Sequence, residues 1–185
     1  VSGGHTNIYH VASDSQFELM GQTRDDAAGE AFDKVSKMLG LGYPGGPVIE
    51  KLAGKAAPDI PFPRTLLEKG SFDFSFSGLK SAVARYIHGH RIKTPEDKAL
   101  VASSFQAAVI DVLSAKLILA ARSRNCKRIG LAGGVSANQT FAKELGSRAA
   151  KEGIGVFVPP LELCGDNAAM VAARGSLMIR QGNLC

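Results

Sequence analysis

Apolar residues recur along this chain in two spacings, and each spacing predicts one kind of element. Two short runs near the start, Thr6–Val11 and Gln16–Thr23, are separated by the polar turn Ala12-Ser13-Asp14-Ser15, which is typical of an antiparallel hairpin. A long helix is predicted after Thr94-Pro95-Glu96-Asp97, because this tetrapeptide supplies an N-cap, a first-turn proline and acidic residues at the positive end of the dipole. Its core-facing stripe, at spacings of three and four, consists of Val101, Phe105, Ala108, Val112, Ala115 and Leu119.

Shorter patterns place the remaining elements. In chain order they are a helix capped by Asp25 or Asp26 and ending near Leu39, a turn at Pro44–Pro47, a helix through Ala53, a loop at 54–72, a strand at Phe72–Phe76, a helix opened by Gly78, a strand at Lys127–Ala132, a helix at Asn138–Glu152, a strand at Ile154–Val158 and a helix at Asn167–Gln181. The alternation of helix and strand in the second half is typical of an α/β layer with a parallel core.

Two glycine pairs in similar settings carry the first chemical hypothesis. They lie in Val1–Thr6 and in Leu131–Asn138, each after an apolar, strand-like segment. Glycine lets backbone N–H groups approach an anion closely, and a following helix adds the positive end of its dipole. A single Gly-Gly is most often a plain turn, but two of them, with Gly165-Asp166-Asn167 before a further helix, predict a phosphate-binding cleft.

The composition is that of a globular protein. The chain has 185 residues, 45% of them hydrophobic, and can bury a core as one domain or one domain plus a small insert. No apolar run approaches the roughly 20 residues that span a bilayer, and no charged leader opens the chain, so we expect a cytoplasmic protein with no membrane attachment. Cys126, Cys164 and Cys185 are odd in number and widely spaced, which favours a reducing compartment.

The net charge of +5 permits a polyanionic partner without requiring one. The densest basic stretch runs from Lys80 to Lys93 and includes Arg85, His88, His90 and Arg91, with Tyr86 among them. A solvated helix face and a contact with an RNA backbone are both consistent with this pattern.

Six motifs, in order, resemble the tRNA N6-adenosine threonylcarbamoyltransferase family, once called O-sialoglycoprotein endopeptidases. They are Val1-Ser2-Gly3-Gly4-His5-Thr6, Asp25–Lys34, Tyr43-Pro44-Gly45-Gly46-Pro47, Phe74-Ser75-Phe76-Ser77-Gly78-Leu79-Lys80, Ala132–Asn138 and Asp166-Asn167-Ala168-Ala169-Met170. The resemblance implies an actin-like ATPase (ribonuclease H-like) lobe of class α/β, with a β-hairpin, a helical insert and a mixed sheet flanked by helices. We divide it into residues 1–23, the end of one lobe or the start of the next, 24–95, the insert and cleft segment, and 96–185, the nucleotide-binding core.

The implied activity is transfer of a threonylcarbamoyl group from threonylcarbamoyl-adenylate to the exocyclic amine of the adenosine beside the anticodon, in tRNAs that read codons starting with A. The donor is an activated mixed anhydride, so no covalent nucleophile is needed, and no catalytic residue is assigned. The family implies tRNA, a small paralogous subunit and an ATPase as partners. Two alternatives are a nonenzymatic nucleotide-binding lobe and a glycoprotein endopeptidase, although the chain has no Gly-x-Ser-x-Gly and no His-Glu-x-x-His.

The resemblance also assigns donor-binding residues. They are Val1, Ser2, Gly3 and Gly4 at the acyl-phosphate, Asp33, Gly46, Glu50 and Asn138 at the adenosine, and Gly133 and Gly134 as a further phosphate loop. Ionised Asp33 and Glu50 suit a ribose diol, and the Asn138 amide can donate and accept at a base edge. Without the resemblance, Asp26, Glu30 and Asp33 would be a solvated acidic stripe and Glu50 an ordinary surface residue.

Asp166 follows Gly165 at the start of a helix, where an aspartate is usually an N-cap. The family pattern makes it instead a ligand of one divalent metal, Fe(II) or a similar ion, together with two histidines of a His-x-x-x-His helix. This chain has no such motif, and His88-Gly89-His90 has the wrong spacing. Because the chain opens inside a strand without an initiator methionine, we expect it to lack an N-terminal lobe that carries the histidines, to bind iron poorly and to be inactive alone.

Overall fold

One long helix lies at the centre of the fold. The structure is a computed structural model, and it describes residues 1–65 and 70–182. The elements are β1 (Asn7–Ser13), β2 (Gln16–Gln22), α1 (Ala28–Met38), α2 (Gly45–Ala53), α3 (Ser77–Gly89), α4 (Pro95–Ser123), β3 (Arg128–Gly130), a 3-10 turn (Gly134–Ala137), α5 (Gln139–Ala150), β4 (Gly155–Phe157), α6 (Leu161–Cys164) and α7 (Ala168–Arg180). The part of the predicted loop at 66–69, and Cys185, lie outside the described residues. The α/β class is confirmed.

The strands form two separate pairs in the described part of the chain, and not one mixed sheet. The predicted hairpin is confirmed: β1 and β2 are antiparallel, with Asn7 opposite Gln22 and Ser13 opposite Gln16. The predicted parallel pairing is also confirmed, since β3 and β4 run side by side with Ile129 opposite Val156. These two strands have only three residues each, which leaves little ladder to extend.

The predicted strand at Phe72–Phe76 is wrong, and only a single bridge forms there, between Phe74 and Thr23. Phe74 and Phe76 are both buried, and their rings are parallel with centroids 6.1 Å apart. The alternation of apolar residues therefore correctly predicted that one side of this segment is buried. Helix α3 begins at Ser77, however, before a strand ladder can form.

Helix α4 lies in the core and packs against α2, α3, α5 and β3. Its first half follows the predicted stripe: Val101, Phe105 and Ala108 are fully buried, and the Phe105 ring meets Phe32 of α1 edge to face at 5.1 Å. Ala115 and Leu119, predicted to face the core, are instead exposed, because neighbours on several sides of α4 bury other positions further along it.

By length and composition α4 could cross a membrane, contrary to the expectation that no apolar run is long enough. Its most apolar 18-residue segment has a mean hydropathy of 1.6, and 67% of that segment is buried inside the protein. Burial on this scale is typical of the central helix of a globular core.

The prediction that Asp25 or Asp26 caps α1 is wrong. The helix begins at Ala28, whose N–H donates to the Thr6 hydroxyl at 2.9 Å. The Asp25 carboxylate instead accepts from the N–H groups of Phe76 (2.8 Å) and Ser77 (3.2 Å), and so caps α3 from about fifty residues away in the chain. The predicted cap of α4 is confirmed, with the Asp97 N–H donating to the Thr94 hydroxyl at 3.1 Å.

The segment before the hairpin is fastened to α1 by backbone contacts. Gly29 donates its N–H to the carbonyl oxygen of Ser2 at 3.1 Å. A Cβ on Gly29 would lie 2.6 Å from that oxygen, which is closer than packed atoms approach. The absence of a side chain at position 29 is therefore what lets the chain pass over the start of α1.

We expect Asp25→Ala to lower the free energy of unfolding by about 1 kcal/mol at neutral pH, because it removes the cap of α3. Partial burial opposes ionisation of the Asp25 carboxylate, but hydrogen bonds from Ser75, Phe76 and Ser77 outweigh it and lower its pKa. Since a depressed pKa stabilises the fold only while the group is ionised, the difference from wild type should fade below about pH 4. Urea denaturation across this pH range measures it, with Asp14→Ala in the hairpin turn as the control that should change little.

We expect Gly29→Ala to lower the free energy of unfolding by about 1–2 kcal/mol, because the added methyl group displaces the Ser2 carbonyl. Alanine is otherwise the better helix residue by about 1 kcal/mol. Gly146→Ala in α5 is the matched control, since a Cβ there meets no atom within 4 Å and should stabilise the protein. Equal effects of the two changes in a thermal or urea melt would contradict the close approach at position 29.

Candidate functional site

The two glycine bends meet at Val1. The backbone nitrogen of Val1 donates to the Ala132 carbonyl at 2.6 Å, and the Val1 carbonyl accepts from the Val135 N–H at 3.0 Å. Gly133 has a φ of +90°, and a Cβ there would lie 2.5 Å from the Val1 oxygen. The fold therefore brings together Val1, Ser2 and Gly133, which were predicted separately as residues that contact the threonylcarbamoyl-adenylate.

The bends leave bare backbone towards solvent. A Cβ added at Gly3, Gly4 or Gly134 would meet no atom within 4 Å, so the space next to these residues is open. The first bend is held in shape by Ser2, whose N–H donates to the His5 carbonyl at 2.8 Å and whose hydroxyl accepts from the His5 N–H at 3.1 Å. A fixed turn with open space beside its glycines lets an anion approach the backbone closely.

Glu50 belongs to α2, but its side chain contacts the start of α5, so it is not an ordinary surface residue. One of its oxygens, Oε1, accepts from the N–H groups of Gln139 (2.8 Å) and Thr140 (3.2 Å). The carboxylate of α2 therefore already neutralises the positive end of the α5 dipole. An anion at the second bend would consequently meet the backbone of the bend itself, and not the first N–H groups of α5.

Asn138 has its side-chain amide engaged on both sides. Its Oδ1 accepts from the Phe141 N–H at 2.8 Å and so caps α5, while its Nδ2 donates to Gln106 Oε1 of α4 at 2.9 Å. The residue is only 7% exposed. The geometry gives Asn138 a structural role beside the one predicted for it at the base.

Asp33 ties α1 to α2. Its Oδ1 accepts from the Gly45 N–H at 2.7 Å, next to Gly46. Asp26, Glu30 and Asp33 do not form a stripe of solvated carboxylates on one helix, because Asp26 precedes α1 and because Asp26 and Glu30 both pair with Lys34, at 2.8 and 2.7 Å.

A second ion pair reaches Asp26 from α3, where Lys80 Nζ lies 2.7 Å from Asp26 Oδ2. Partial burial opposes ionisation of Asp26, but the two ammonium groups outweigh it and lower the pKa of this carboxyl. The remaining basic residues of the Lys80–Lys93 stretch, Arg85, His88, His90, Arg91 and Lys93, reach solvent, and the His90 ring stacks on Tyr86 at 3.9 Å. Their contact with RNA stays a prediction.

Asp166 faces an open cleft of about 630 Å³ between the hairpin, β3 and the start of α7. Val1, Ser2 and Gly133 line the same cleft. Asp166 is exposed and is not the N-cap of α7, a role taken by Asn167, whose Oδ1 accepts from the Met170 N–H at 2.9 Å. The carboxylate is thus left at the cleft surface.

The residues present do not make a complete metal centre. Within the described ranges, no group of three or more His, Cys, Asp or Glu side chains could hold an ion. Asp166 offers one carboxylate, which is fewer protein ligands than a transition-metal site uses. Cys126 and Cys164 are free thiols.

Sequence reasoning missed the residues that act across long separations. Asp25 caps α3, Gln106 holds the Asn138 amide, and Thr6 caps α1. Each is a common polar residue whose partner lies 22 to 51 positions away, so no local spacing could have indicated it.

Comparison with known proteins identifies the family to which the chain belongs. The model of the family "tRNA N6-adenosine threonylcarbamoyltransferase" matches residues 1–173. Relatives of that name include proteins of Desulforapulum autotrophicum (61% identical over the whole chain and 56% of the relative), Moorella thermoacetica (56% identical over 92% of the chain and 51% of the relative) and Bacillus cereus (50% identical over 98% of the chain and 54% of the relative). The chain thus spans about half the length of the curated relatives it matches.

The family match covers both glycine bends, the Asp33 and Glu50 helices and Asp166. By this match and by identities of up to 61%, the chain belongs to the tRNA N6-adenosine threonylcarbamoyltransferase family.

Proposed function

We propose that the full-length protein carrying this chain transfers a threonylcarbamoyl group from threonylcarbamoyl-adenylate to the exocyclic amine of the adenosine beside the anticodon, in tRNAs that read codons starting with A. The observation that carries the proposal is the union of the two glycine bends at Val1, within a chain whose relatives are named for this activity. The bends bring three glycines with open space beside them, Gly3, Gly4 and Gly134, to one place, and this supports close approach of an acyl-phosphate to the backbone.

The reaction makes modest demands on the protein. The adenosine amine attacks the carbamoyl carbon, the new C–N bond forms, the C–O bond to phosphate breaks, AMP leaves, and the amine loses a proton to solvent. Ser2, Gly3 and Gly4 with Gly133 and Gly134 hold the phosphate end and face the charge that develops there. No side chain has to act as a nucleophile, because the donor is already activated.

Asp33 and Glu50 are suited to hold the nucleoside end. In each carboxylate one oxygen is used inside the fold, Asp33 Oδ1 on Gly45 and Glu50 Oε1 on α5. The second oxygen of each then accepts a ribose hydroxyl, on a side chain that is already fixed in place. Gly46 lies beside Asp33, and Asn138 closes the base end.

Asp166 would contribute one ligand to a single divalent metal ion, Fe(II), whose other ligands would be supplied by the remaining part of the full-length protein. Such an ion would polarise the donor and fix its orientation. The position of Asp166 in the same cleft as Val1 and Ser2 supports this assignment.

The wider setting follows from the family. We infer that the chain is part of an actin-like lobe of a cytoplasmic enzyme that works on tRNA with a small paralogous subunit and an ATPase. For these residues taken alone, a nonenzymatic nucleotide-binding lobe is the second candidate, and it is favoured by the incomplete metal centre.

The proposed activity can be tested directly. The full-length protein with its partner subunits, given threonylcarbamoyl-adenylate and unmodified tRNA, should form the modified nucleoside, measured by mass spectrometry of digested tRNA. A tRNA that reads codons with another first base is the control and should stay unmodified. Absence of product in the complete system would refute the proposed function.

Substitution of a glycine in the first bend tests whether the donor binds there. Gly4→Ala should raise the KM for the donor about tenfold, corresponding to about 1.4 kcal/mol, because the methyl group intrudes where the phosphate approaches the backbone. Thermal stability should be unchanged, since no atom lies within 4 Å of the added Cβ. Gly175→Ala in α7, which is equally unobstructed, should leave the KM unchanged. An unchanged KM in Gly4→Ala would remove the first bend from the site.

A further inference from the structure

The end of α3 and the turn that leads to α4 carry a concentration of positive charge. Residues 74–95 contain four Lys or Arg and no Asp or Glu. One of the four is already paired, with Asp26 at the start of α3. The other three, Arg85, Arg91 and Lys93, are exposed and make no ion pair with any residue that the structure describes. These three side chains are called the basic end of α3 below.

The stability of the helices does not account for all of these cations. The helix dipole stabilises a positive side chain near the C-terminus of a helix and destabilises one near the N-terminus. Arg85 lies in the C-terminal half of α3, where a cation is favourable. Lys93, by contrast, directly precedes Thr94, the N-cap of α4, where a cation is unfavourable. A charge placed against the local electrostatics of the fold is typical of a functional position.

The backbone that carries Arg91 and Lys93 is held in place. Ile92, between the two cations, packs against the core, and its N–H donates to the His90 carbonyl at 3.0 Å. The Lys93 N–H donates to the Asp97 carboxylate at 3.0 Å. The turn therefore needs little further ordering when a ligand binds to it.

The basic end offers charge without apolar surface. Of the described residues, no large hydrophobic side chain between Lys80 and Lys93 is exposed. A protein interface is built around a desolvated apolar or aromatic centre, and a helix that lies on a membrane inserts apolar side chains. Cations on a polar surface match instead the phosphate backbone of a nucleic acid, which is held by charge and stays in contact with water.

Helix α1 connects the start of α3 to the first glycine bend. Gly29 of α1 donates to the Ser2 carbonyl, and Asp25, just before α1, caps the start of α3. The 13 residues of α3 span about 20 Å. Phosphates follow one another at about 3.4 Å along each strand of a duplex, so about six stacked nucleotides cover that distance. An RNA whose adenosine reaches the bends is therefore long enough to contact the far end of α3 as well.

We propose that the basic end of α3 binds the phosphate backbone of the tRNA substrate, at nucleotides other than the reacting adenosine; this rests on the proposed function. The threonylcarbamoyl-adenylate is a poorer occupant, because it carries one phosphate. In addition, none of the three cations lines the cleft beside the bends or the smaller pocket beside Asp33. Phosphate contacts carry no sequence information, so this surface strengthens tRNA binding and does not select the base.

The test uses the full-length protein with its partner subunits and labelled, unmodified tRNA in fluorescence anisotropy. The triple variant Arg85→Ala, Arg91→Ala and Lys93→Ala should raise the Kd for tRNA about tenfold at low salt. It should lower the slope of log affinity against log salt by about 2–3, because each lost phosphate contact releases about one counterion fewer. Lys93→Ala alone should lower the slope by about 1. The KM for threonylcarbamoyl-adenylate should stay within about twofold of the wild-type value, since roughly 0.4 kcal/mol or less is then lost at the donor site.

A second triple variant controls for the loss of net charge. Lys127→Ala, Lys143→Ala and Lys151→Ala removes three cations that are also exposed and without an ion pair among the described residues. Lys127 precedes β3 and Lys151 follows α5, so both lie at the ends of these elements that are remote from the second bend. This control should keep the wild-type slope. Arg85→Lys with Arg91→Lys retains the charge of the basic end and should also keep it.

Direct binding separates this proposal from the proposed function. A wild-type protein that binds tRNA but forms no modified nucleoside would sink the proposed function alone. The surface assignment would be overturned by unchanged tRNA affinity in the first triple variant, by equal losses in both triple variants, or by release of a partner subunit with tRNA affinity intact. A thermal melt verifies that each variant is folded, which we expect because all the substituted side chains are exposed.

Discussion

The close passage of the Val1–Ser2 backbone between two glycines is the constraint on which the candidate site depends. On one side the Ser2 carbonyl accepts from Gly29 at the start of α1, and on the other the Val1 carbonyl lies against Gly133. Any side chain larger than hydrogen at either glycine would collide with a backbone oxygen. The relative position of the two bends is therefore set by backbone contact, which is stiffer than contact between side chains.

Three carboxylates, two of them assigned to the proposed donor site, hold the starts of helices. Asp25 caps α3, Asp33 binds the N–H of Gly45 at the start of α2, and Glu50 binds the first N–H groups of α5. Each places a negative charge at a helix N-terminus, where the dipole stabilises it. These charges help to fix the starts of three helices within the fold itself, so the proposed nucleotide site would need little further ordering on binding.

The sequence predicts elements whose signals are local. The Thr94 capping box and the hairpin turn were predicted correctly, because the residues that define them lie within a few positions of one another. The parallel pairing of β3 and β4 was predicted correctly from the alternation of strand and helix along the chain, although the paired residues themselves are far apart in sequence. Failures came where tertiary contacts decide: Asp25 serves a distant helix, and Phe74 and Phe76 are buried without a ladder.

The candidate site shows the same division. Motif resemblance selected Val1, Ser2 and Gly133, which the structure brings together, but it gave no sign that Glu50 occupies the start of α5. Nor could any spacing indicate that Gln106 holds the Asn138 amide, since the two residues lie 32 positions apart.

The buried amide of Asn138 has a consequence for discrimination between purines. The contacts with Phe141 and Gln106 use one lone pair of Oδ1 and one N–H of Nδ2, and the residue is only 7% exposed, so little of what remains is within reach of a base. Adenine and guanine differ mainly in the donors and acceptors on their edges, and an amide that is almost wholly buried reads those edges poorly. Any preference for adenine would therefore have to come from the shape of the space around the ring or from groups in the rest of the full-length protein.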